Sequence, residues 1–274
     1  MSLFFVDQEK CNKDGICAAE CPLRLIELND PNQVPTPIEG AEELCINCGH
    51  CVAVCPSAAL TRKNMKPEEC RPIRKDWVLE PEKLEHFLKA RRSIRTYYDR
   101  AVDRETLTKL IETARFAPSG HNSQPVNWMV IYDGDKVRQL AAQVVDWLRC
   151  LLKKKSRSIQ EMHLDRVVNA WDDGVDSVCR SAPHVIIAHA LKDDPTSQAA
   201  CAIALTYLEL GAASFGLGTC WAGFFNVAAT VWQPMRRSLE LPDGHVCFGS
   251  MMIGFPRYKY HRLPLRNEAN IIWR

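Results

Sequence analysis

The chain has 274 residues, of which 46% are hydrophobic and 25% charged, and its formal net charge is +2. These values are typical of a folded globular protein and exclude a disordered or collagen-like chain. They also give no sign of a nucleic-acid binder. The unusual feature is the cysteine content, because seven of the 13 cysteines fall within the first 55 residues.

The two parts of the chain differ in charge as well as in cysteine content. Residues 1–60 hold three Lys or Arg against nine Asp or Glu, a net charge of −6, whereas the remainder holds 32 against 24, a net charge of +8. We therefore predict two domains with separate functions. Their expected bounds are residues 1–62 and 80–274, joined by a linker at residues 63–79.

Neither apolar stretch of the sequence favours export or membrane insertion. Residues 1–6 are followed at once by charged residues, unlike a signal peptide. The uncharged run at residues 210–235 contains four glycines and a proline, which favours buried elements over a spanning helix. Together with a cysteine-rich module, this predicts a cytoplasmic protein without membrane or nucleic-acid partners.

The second cysteine motif, at residues 45–56, reads CINCGHCVAVCP and has the spacing C-x2-C-x2-C-x3-C-P. This run is a bacterial iron–sulfur ligand motif, whose fourth cysteine binds the other cluster of a two-cluster protein. Three thiolates at three-residue intervals surround one corner of a cubane, while the fourth points away from it. The motif therefore requires a second motif elsewhere in the chain.

The first cysteine motif, CNKDGICAAECP at residues 11–22, meets this requirement: it has the same register but carries Asp14 in place of the second cysteine. Exchange of the fourth cysteines predicts one complete [4Fe–4S] cluster, with the ligands Cys21, Cys45, Cys48 and Cys51. The other cluster has the ligands Cys11, Cys17 and Cys55, with Asp14 or water on its fourth iron. A carboxylate holds cluster iron less firmly than a thiolate does, so this site is expected to convert to [3Fe–4S] or to carry a labile iron.

Residues 1–60 resemble the bacterial two-cluster ferredoxins in both motifs. Two alternatives remain open at this stage. A structural zinc site would need four ligands per ion and no Cys-Pro ending. Asp14 could also serve only as a turn residue before Gly15, without touching a metal.

The second domain alternates helical and strand-like patterns. Helices are predicted at residues 81–90, 104–116 and 198–215, and strands at 128–132, 183–189 and 246–253. No dinucleotide-binding or phosphate-loop glycine motif is present. No Ser-His-Asp order can be argued from the sequence, so the catalytic residues remain unassigned.

Four short motifs, in order, resemble the nitroreductase family of FMN-dependent oxidoreductases. They are RRSIR at 91–95, APSGHNSQP at 117–125, GLGTCWAG at 216–223 and IGFP at 253–256. The resemblance implies an α+β fold, with a mixed sheet flanked by helices, preceded here by a small ferredoxin-like domain. It also implies FMN as cofactor and a homodimer.

The same resemblance implies roles for individual residues. Arg91, Arg92 and Ser93 would bind the FMN phosphate and ribityl chain, and Arg95 would reach the pyrimidine end of the flavin. The other implied flavin contacts are Ser119, Gly120 and Asn122 from the second subunit, Trp221, Ala222 and Gly223 along the ring, and Arg262 and Arg266 at the phosphate. The sequence departs from the family where Pro125 is followed by Val126 instead of tryptophan.

The predicted function is electron transfer through the clusters and FMN to a small oxidised acceptor, such as a nitroaromatic, quinone or enone. The donor would be a ferredoxin or flavodoxin carrier, or NAD(P)H. One alternative is a redox sensor or electron carrier without turnover, and another is a specialised flavin reductase or dehalogenase. Residues 140–173, the least patterned part of the second domain, are expected either to face the substrate or only to pack helices.

Overall fold

The computed structural model describes residues 2–154 and 162–274. The chain divides into two compact units, Met1–Leu79 with His121–Ser123, and Glu80–Gly120 with Gln124–Arg274. Among the described residues, no helix has both the length and the apolarity needed to cross a bilayer.

The first unit is built from short elements around a small core. In chain order they are β1 Phe4–Val6, α1 Ile16–Glu20, β2 Ile26–Glu27, β3 Thr36–Pro37, α2 Ala41–Leu44, α3 His50–Ala53 and β4 Leu60–Arg62. Strand β1 pairs antiparallel with β4, and β2 pairs antiparallel with β3. Single 3-10 turns follow at Pro67–Glu69 and Lys75–Trp77.

The two halves of this unit repeat each other at an offset of 34 residues. Gly15 precedes α1 with φ 71° and Gly49 precedes α3 with φ 76°, a left-handed conformation that glycine adopts without strain. Strand β2 of the first half corresponds to β4 of the second. The shared register places Asp14 where the second half has Cys48.

The second unit contains longer helices and, among its described residues, one four-stranded sheet. Its elements are α4 Pro81–Ala90, α5 Arg104–Ala114, β5 Asn127–Ile131, α6 Gly134–Leu152, α7 Leu164–Asp172, β6 His184–Leu191, α8 Ser197–Ser214, β7 Gly218–Trp221, α9 Gly223–Val231, α10 Gln233–Leu239 and β8 His245–Gly254. The strand order is β5-β6-β8-β7. Buried apolar clusters with helical members lie against both faces of the sheet.

The predicted α+β class is confirmed, with one difference in detail. The three pairings within this sheet are all antiparallel, whereas a mixed sheet was expected. Seven of the eight residues of β6 are buried. Continuous burial on both faces gives the uniformly apolar pattern of a parallel strand, so the sequence does not reveal the strand directions.

The predicted helices and strands correspond to α4, α5, α8, β5, β6 and β8 within one to two residues at each end. Strand β7 was not predicted, because the glycines at 216, 218 and 223 in and around it indicate turns. Helix α6 covers much of the expected substrate-facing segment, and it buries seven residues, including Leu140, Val144 and Leu148. Residues 155–161 of that segment lie outside the described part of the chain.

Candidate cofactor sites

Three of the predicted cluster ligands and Asp14 line one cavity in the first unit. The cavity is bounded by Cys11, Asp14, Cys17 and Cys55, with Gly15 and Pro35 beside them. Cys55 is the last cysteine of the second motif, yet it lies with the first motif. The chain therefore brings these residues together in the exchanged arrangement that the spacing predicts.

A second group forms around Cys51. The pKa of the Cys51 thiol is raised to about 11, chiefly by burial and also by Cys48 and Cys45, while the Arg62 guanidinium acts in the opposite direction. Cys21, the remaining predicted ligand of this group, packs against the apolar core of the first unit, as cysteines of both predicted sites do, so its place in this group stays a prediction. These four residues supply only thiols, the donors that iron–sulfur clusters require.

Two of the predicted ligand sulfurs accept main-chain hydrogen bonds at equivalent places in the repeat. Leu25 N–H donates to Cys21 Sγ and Ala59 N–H donates to Cys55 Sγ, each at 3.3 Å. Burial raises the pKa of Cys55, but the hydrogen bonds from Ala59 and Ser57 lower it more, leaving it below its usual value. The lowered pKa favours the thiolate form of Cys55.

Asp14 takes part in the turn before α1 and also lines the cysteine cavity. Its Oδ1 accepts a hydrogen bond from Ile16 N–H at 3.2 Å, which supports the turn before α1. Its carboxylate also belongs to the lining of the cysteine cavity. A carboxylate has several lone pairs, so the turn bond leaves acceptor capacity for an iron atom.

No three His, Cys, Asp or Glu side chains in residues 2–154 and 162–274 are grouped so as to hold a single metal ion. The ligands of an iron–sulfur cluster bind different iron atoms and therefore stand further apart. The chemistry of the thiol sets fits such clusters.

In the second unit, the arginine-rich segment 91–95 runs beside β7. Ile94 N–H donates to Thr219 O at 2.8 Å. A Cβ added to Gly218 would lie 2.5 Å from Ile94 Cγ1, so the segment approaches the strand as closely as it does only because residue 218 is glycine.

Arg91 is held by an acid that the sequence analysis did not identify. Its Nη1 lies 2.9 Å from Oε1 of Glu209, whose side chain is 7% exposed in α8. Glu209 is the single charged residue of residues 198–215, and that isolation within an apolar helix was the available signal. Arg92 instead donates to two main-chain carbonyls, Arg91 O at 2.6 Å and Lys89 O at 2.8 Å.

Ser93 and Arg95 converge on Cys220 of β7. Burial raises the pKa of the Cys220 thiol, while the Arg95 charge and a hydrogen bond with Ser93 act in the opposite direction. Nearby, Tyr97 Oη donates to Ile94 O at 2.6 Å, and burial raises the pKa of that phenol well above its usual value. These contacts fix the chain immediately after the arginines.

The predicted ring-contact residues lie where β7 ends and α9 begins. Trp221 is 38% exposed, and a Cβ on Gly249 of the neighbouring strand would come within 3.0 Å of its ring. Ala222 N–H donates to Ser250 O at 2.9 Å, and Gly223 is the first residue of α9. Trp221 therefore presents part of an aromatic surface beside the turn.

The three predicted second-subunit residues occupy the segment after α5. Ser119 Oγ accepts from Gln124 N–H at 2.9 Å, and a Cβ on Gly120 would lie 2.8 Å from Thr196 Cγ2. Asn122 is grouped with the first unit, where its amide donates to the Ile46 and Asn47 carbonyls at 3.3 and 3.1 Å.

Arg262 and Arg266 lie in the exposed chain beyond β8, outside any helix or strand. The structure does not gather them with the arginine-rich segment. Their assignment to the FMN phosphate therefore stays a prediction.

The two units together define a class, namely a redox protein that joins an iron–sulfur module to an α+β cofactor-binding unit. Residues 88–255 match the Nitroreductase family, and residues 10–60 match the 4Fe-4S dicluster domain. The chain belongs to the nitroreductase family and also carries a dicluster domain. This confirms the predicted cofactor classes, FMN and two iron–sulfur clusters.

Curated relatives match each unit separately. A putative NADH dehydrogenase/NAD(P)H nitroreductase of Methanothermobacter thermautotrophicus is 27% identical over 170 residues, covering 62% of this chain and 75% of the relative. A protein named Ferredoxin 7Fe, from Hydrogenibacillus schlegelii, is 34% identical over 67 residues, covering 24% of this chain and 80% of the relative.

Solved structures share the fold of the second unit at low identity. A nitroreductase with bound FMN from Bacteroides fragilis has a TM-score of 0.54 and 20% identity, covering 69% of this chain and 95% of that one. A BluB-like flavoprotein from Clostridium difficile has a TM-score of 0.55 and 19% identity, covering 71% and 100%. An iodotyrosine deiodinase bound to FMN and 3-iodo-L-tyrosine has a TM-score of 0.52 and 20% identity, covering 69% and 100%.

Proposed function

We propose that this oxidoreductase accepts electrons one at a time from a ferredoxin or flavodoxin carrier and delivers them in pairs to a small oxidised acceptor. The observation that carries the proposal is the presence of a dicluster domain and a nitroreductase domain in one chain. Iron–sulfur clusters exchange single electrons, whereas a flavin handles either one or two. If the donor delivered electrons only in pairs to the flavin, the clusters would have no role in the reaction.

The proposed clusters follow the exchanged ligand sets. Cys21, Cys45, Cys48 and Cys51 hold a [4Fe–4S] cluster. Cys11, Cys17 and Cys55 hold a [3Fe–4S] cluster, or a four-iron cluster whose labile iron meets Asp14. The cavity shared by the last set with Asp14 supports this assignment, as does the name of the 7Fe ferredoxin relative.

The proposed flavin site uses the arginine-rich segment of one copy of the chain. FMN supplies the one- and two-electron chemistry when it is bound. Arg91, Arg92 and Ser93 bind its phosphate and ribityl chain through guanidinium forks and a hydroxyl. Arg95 places a positive charge at the pyrimidine end, and Trp221, Ala222 and Gly223 border the ring.

A second copy of the chain completes the site in this proposal. Ser119, Gly120 and Asn122 of that copy approach the same flavin, which makes a homodimer the functional form. Arg262 and Arg266 are further phosphate contacts. The acceptor is a small molecule that takes up two electrons, of the nitroaromatic, quinone or enone type.

Two other functions have specific support. The curated relatives named NAD(P)H nitroreductase favour NAD(P)H as the donor to the flavin. The deiodinase fold neighbour favours reductive removal of a halogen, although the likeness is of fold alone.

Anaerobic stopped-flow reduction of the full-length protein tests the donor. Reduced ferredoxin should bleach the clusters first and the flavin afterwards, while NADH and NADPH should be slower. A Cys48→Ser variant, which lacks one thiolate of the complete site, should lose the ferredoxin rate but keep any NAD(P)H rate. Fast flavin reduction by NADH, with the clusters left oxidised and no rate from ferredoxin, would contradict the proposal.

A further inference from the structure

The first unit buries an arginine that has no acidic partner. Arg62, the last residue of β4, is 6% exposed. Its Nε is buried without a hydrogen-bond partner, and the ion pairs of the described residues do not include it. A buried charge is costly unless an opposite charge lies nearby. We therefore expect an anionic group close to the Arg62 guanidinium.

Arg62 contacts the loop that carries Cys45, Cys48 and Cys51 of the four-cysteine site. Its Nη2 donates to Oδ1 of Asn47, the residue before Cys48. Arg62 and Met65 exchange main-chain hydrogen bonds of 3.0 and 3.1 Å. A Cβ on Gly49 would lie 2.7 Å from Met65 Sδ, so the turn at residues 62–65 lies directly over this loop.

The bonded side chain stands next to a predicted ligand of the same site. Asn47, which accepts from the Arg62 guanidinium, is followed directly by Cys48. Asn47 is neutral, whereas the sulfur of the adjacent Cys48 becomes anionic when it binds iron. The cluster is therefore the counter-charge that Arg62 otherwise lacks.

The other half of the repeat has no buried cation at the equivalent position, and the cation of its loop, Lys13, is exposed and donates to Asn32 O. The residue 34 positions before Arg62 is Leu28, whose Cδ2 would lie 3.3 Å from a Cβ on Gly15. That half also carries Asp14 in place of a cysteine. One proposed cluster thus has a buried positive charge beside its loop, whereas the other has an aliphatic side chain and a carboxylate.

We propose that the positive charge of Arg62 raises the reduction potential of the cluster held by Cys21, Cys45, Cys48 and Cys51. The inference rests on the proposed assignment of these four ligands. On reduction the cluster takes one electron from the carrier and becomes more negative, and no bond forms or breaks. A fixed cation in a buried environment stabilises the more negative form. The position-28 leucine leaves the Asp14 cluster without this effect.

Redox titration of the full-length protein, followed by EPR, measures the potential of each cluster separately. Arg62→Gln should lower the midpoint potential of the four-cysteine cluster and leave that of the Asp14 cluster unchanged. Arg62→Lys should retain most of the wild-type value. Lys63→Gln is the matched control, because Lys63 is an exposed neighbour whose charge is screened by water, and it should shift neither potential.

Iron and sulfide are quantified first in each variant, so that a wrong cluster assignment is distinguished from a wrong role for Arg62. If Arg62→Gln does not retain its clusters, Leu28→Arg provides the test, and it should raise the potential of the Asp14 cluster. With clusters intact, an unchanged potential in Arg62→Gln would overturn the proposal. An equal shift in Lys63→Gln, or no rise in Leu28→Arg, would also overturn it.

Discussion

At the scale of single residues, Asp14 distinguishes the two halves of the cysteine module. Its carboxylate bonds to the Ile16 N–H and lines the cavity with three cysteines. An oxygen ligand at this position would hold an iron atom less firmly than the thiolate at the equivalent position of the other half. The iron content of the protein should depend on this residue.

We predict that Asp14→Cys raises the iron content by one atom per chain. The new thiolate completes a four-cysteine set, giving about eight iron atoms in place of about seven. Iron and sulfide analysis after anaerobic purification measures this, and the EPR signal typical of [3Fe–4S] should disappear. Asp14→Asn is the control and should keep the lower count. An iron content that is the same in all three proteins would contradict the role of Asp14.

Glu209 is the second informative residue, because it fixes the orientation of Arg91 from inside α8. We predict that Glu209→Gln lowers the free energy of unfolding by about 1–2 kcal/mol, since a charge-assisted bond is lost. It should also raise the dissociation constant of FMN about three- to tenfold, measured by flavin fluorescence.

The control for Glu209 is Glu112→Gln. Glu112 pairs with Arg115 at 2.8 Å on the surface, with both side chains 59% exposed. An exposed pair contributes little to stability, so this variant should behave like the wild type. Equal effects of the two substitutions would show that Glu209 has no special relation to the flavin site.

At the scale of elements, β7 and the segment 91–95 form one assembly. The Ile94–Thr219 hydrogen bond and the missing side chain at Gly218 keep them in contact. A small change in the strand should therefore shift the arginines of the proposed flavin site.

We predict that Gly218→Ala weakens FMN binding and costs about 1–3 kcal/mol of stability, because the added methyl group overlaps Ile94. Adding Ile94→Ala should restore much of both losses by making room. Gly134→Ala, where a Cβ would lie 3.9 Å from the Pro183 carbonyl oxygen, is the tolerated control. Failure of the double variant to recover FMN binding would show that the contact is not the cause.

His184 links β6 to the chain that precedes α5. Its Nε2 accepts from Val102 N–H at 2.9 Å, so the ring is neutral, with its proton on Nδ1 facing Tyr132 O at 2.6 Å. Burial lowers the pKa of His184. Below about pH 6.5, the usual histidine value, the unfolded chain binds a proton that the folded protein excludes.

Stability should therefore be highest above that pH and fall as the pH is lowered. We predict that His184→Gln reduces this fall between pH 7.5 and 5.5, measured as the shift in thermal midpoint. His86→Gln, at an exposed position on α4, should leave the pH dependence unchanged. A wild-type pH dependence in His184→Gln would show that other groups cause the loss.

The sequence predicts local chemistry better than it predicts the partners of each residue. The cysteine spacing places Cys55 with the first motif because ligand geometry is encoded over a few residues. The pairing of Arg91 with Glu209 spans 118 positions and depends on how α8 packs, so no local pattern reveals it. Strand β7 is missed for a similar reason, since its glycines indicate a turn unless the close approach of Ile94 is known.

At the scale of the whole molecule, the chain combines one-electron and two-electron cofactors. Membership of the nitroreductase family and the dicluster domain establish both parts. The partition of charge follows the same division, with a net charge of −6 on residues 1–60 and +8 on the remainder. FMN and both iron–sulfur clusters should therefore be present together in one preparation of the protein.

The most direct test is to quantify iron, sulfide, zinc and acid-released flavin per chain after anaerobic purification. We expect about one FMN and about seven iron atoms per chain, four at the complete site and three at the Asp14 site. One or two zinc ions without sulfide would contradict the cluster assignment. Full iron without flavin, and no rebinding of added FMN, would contradict the flavin enzyme and favour a simple electron carrier.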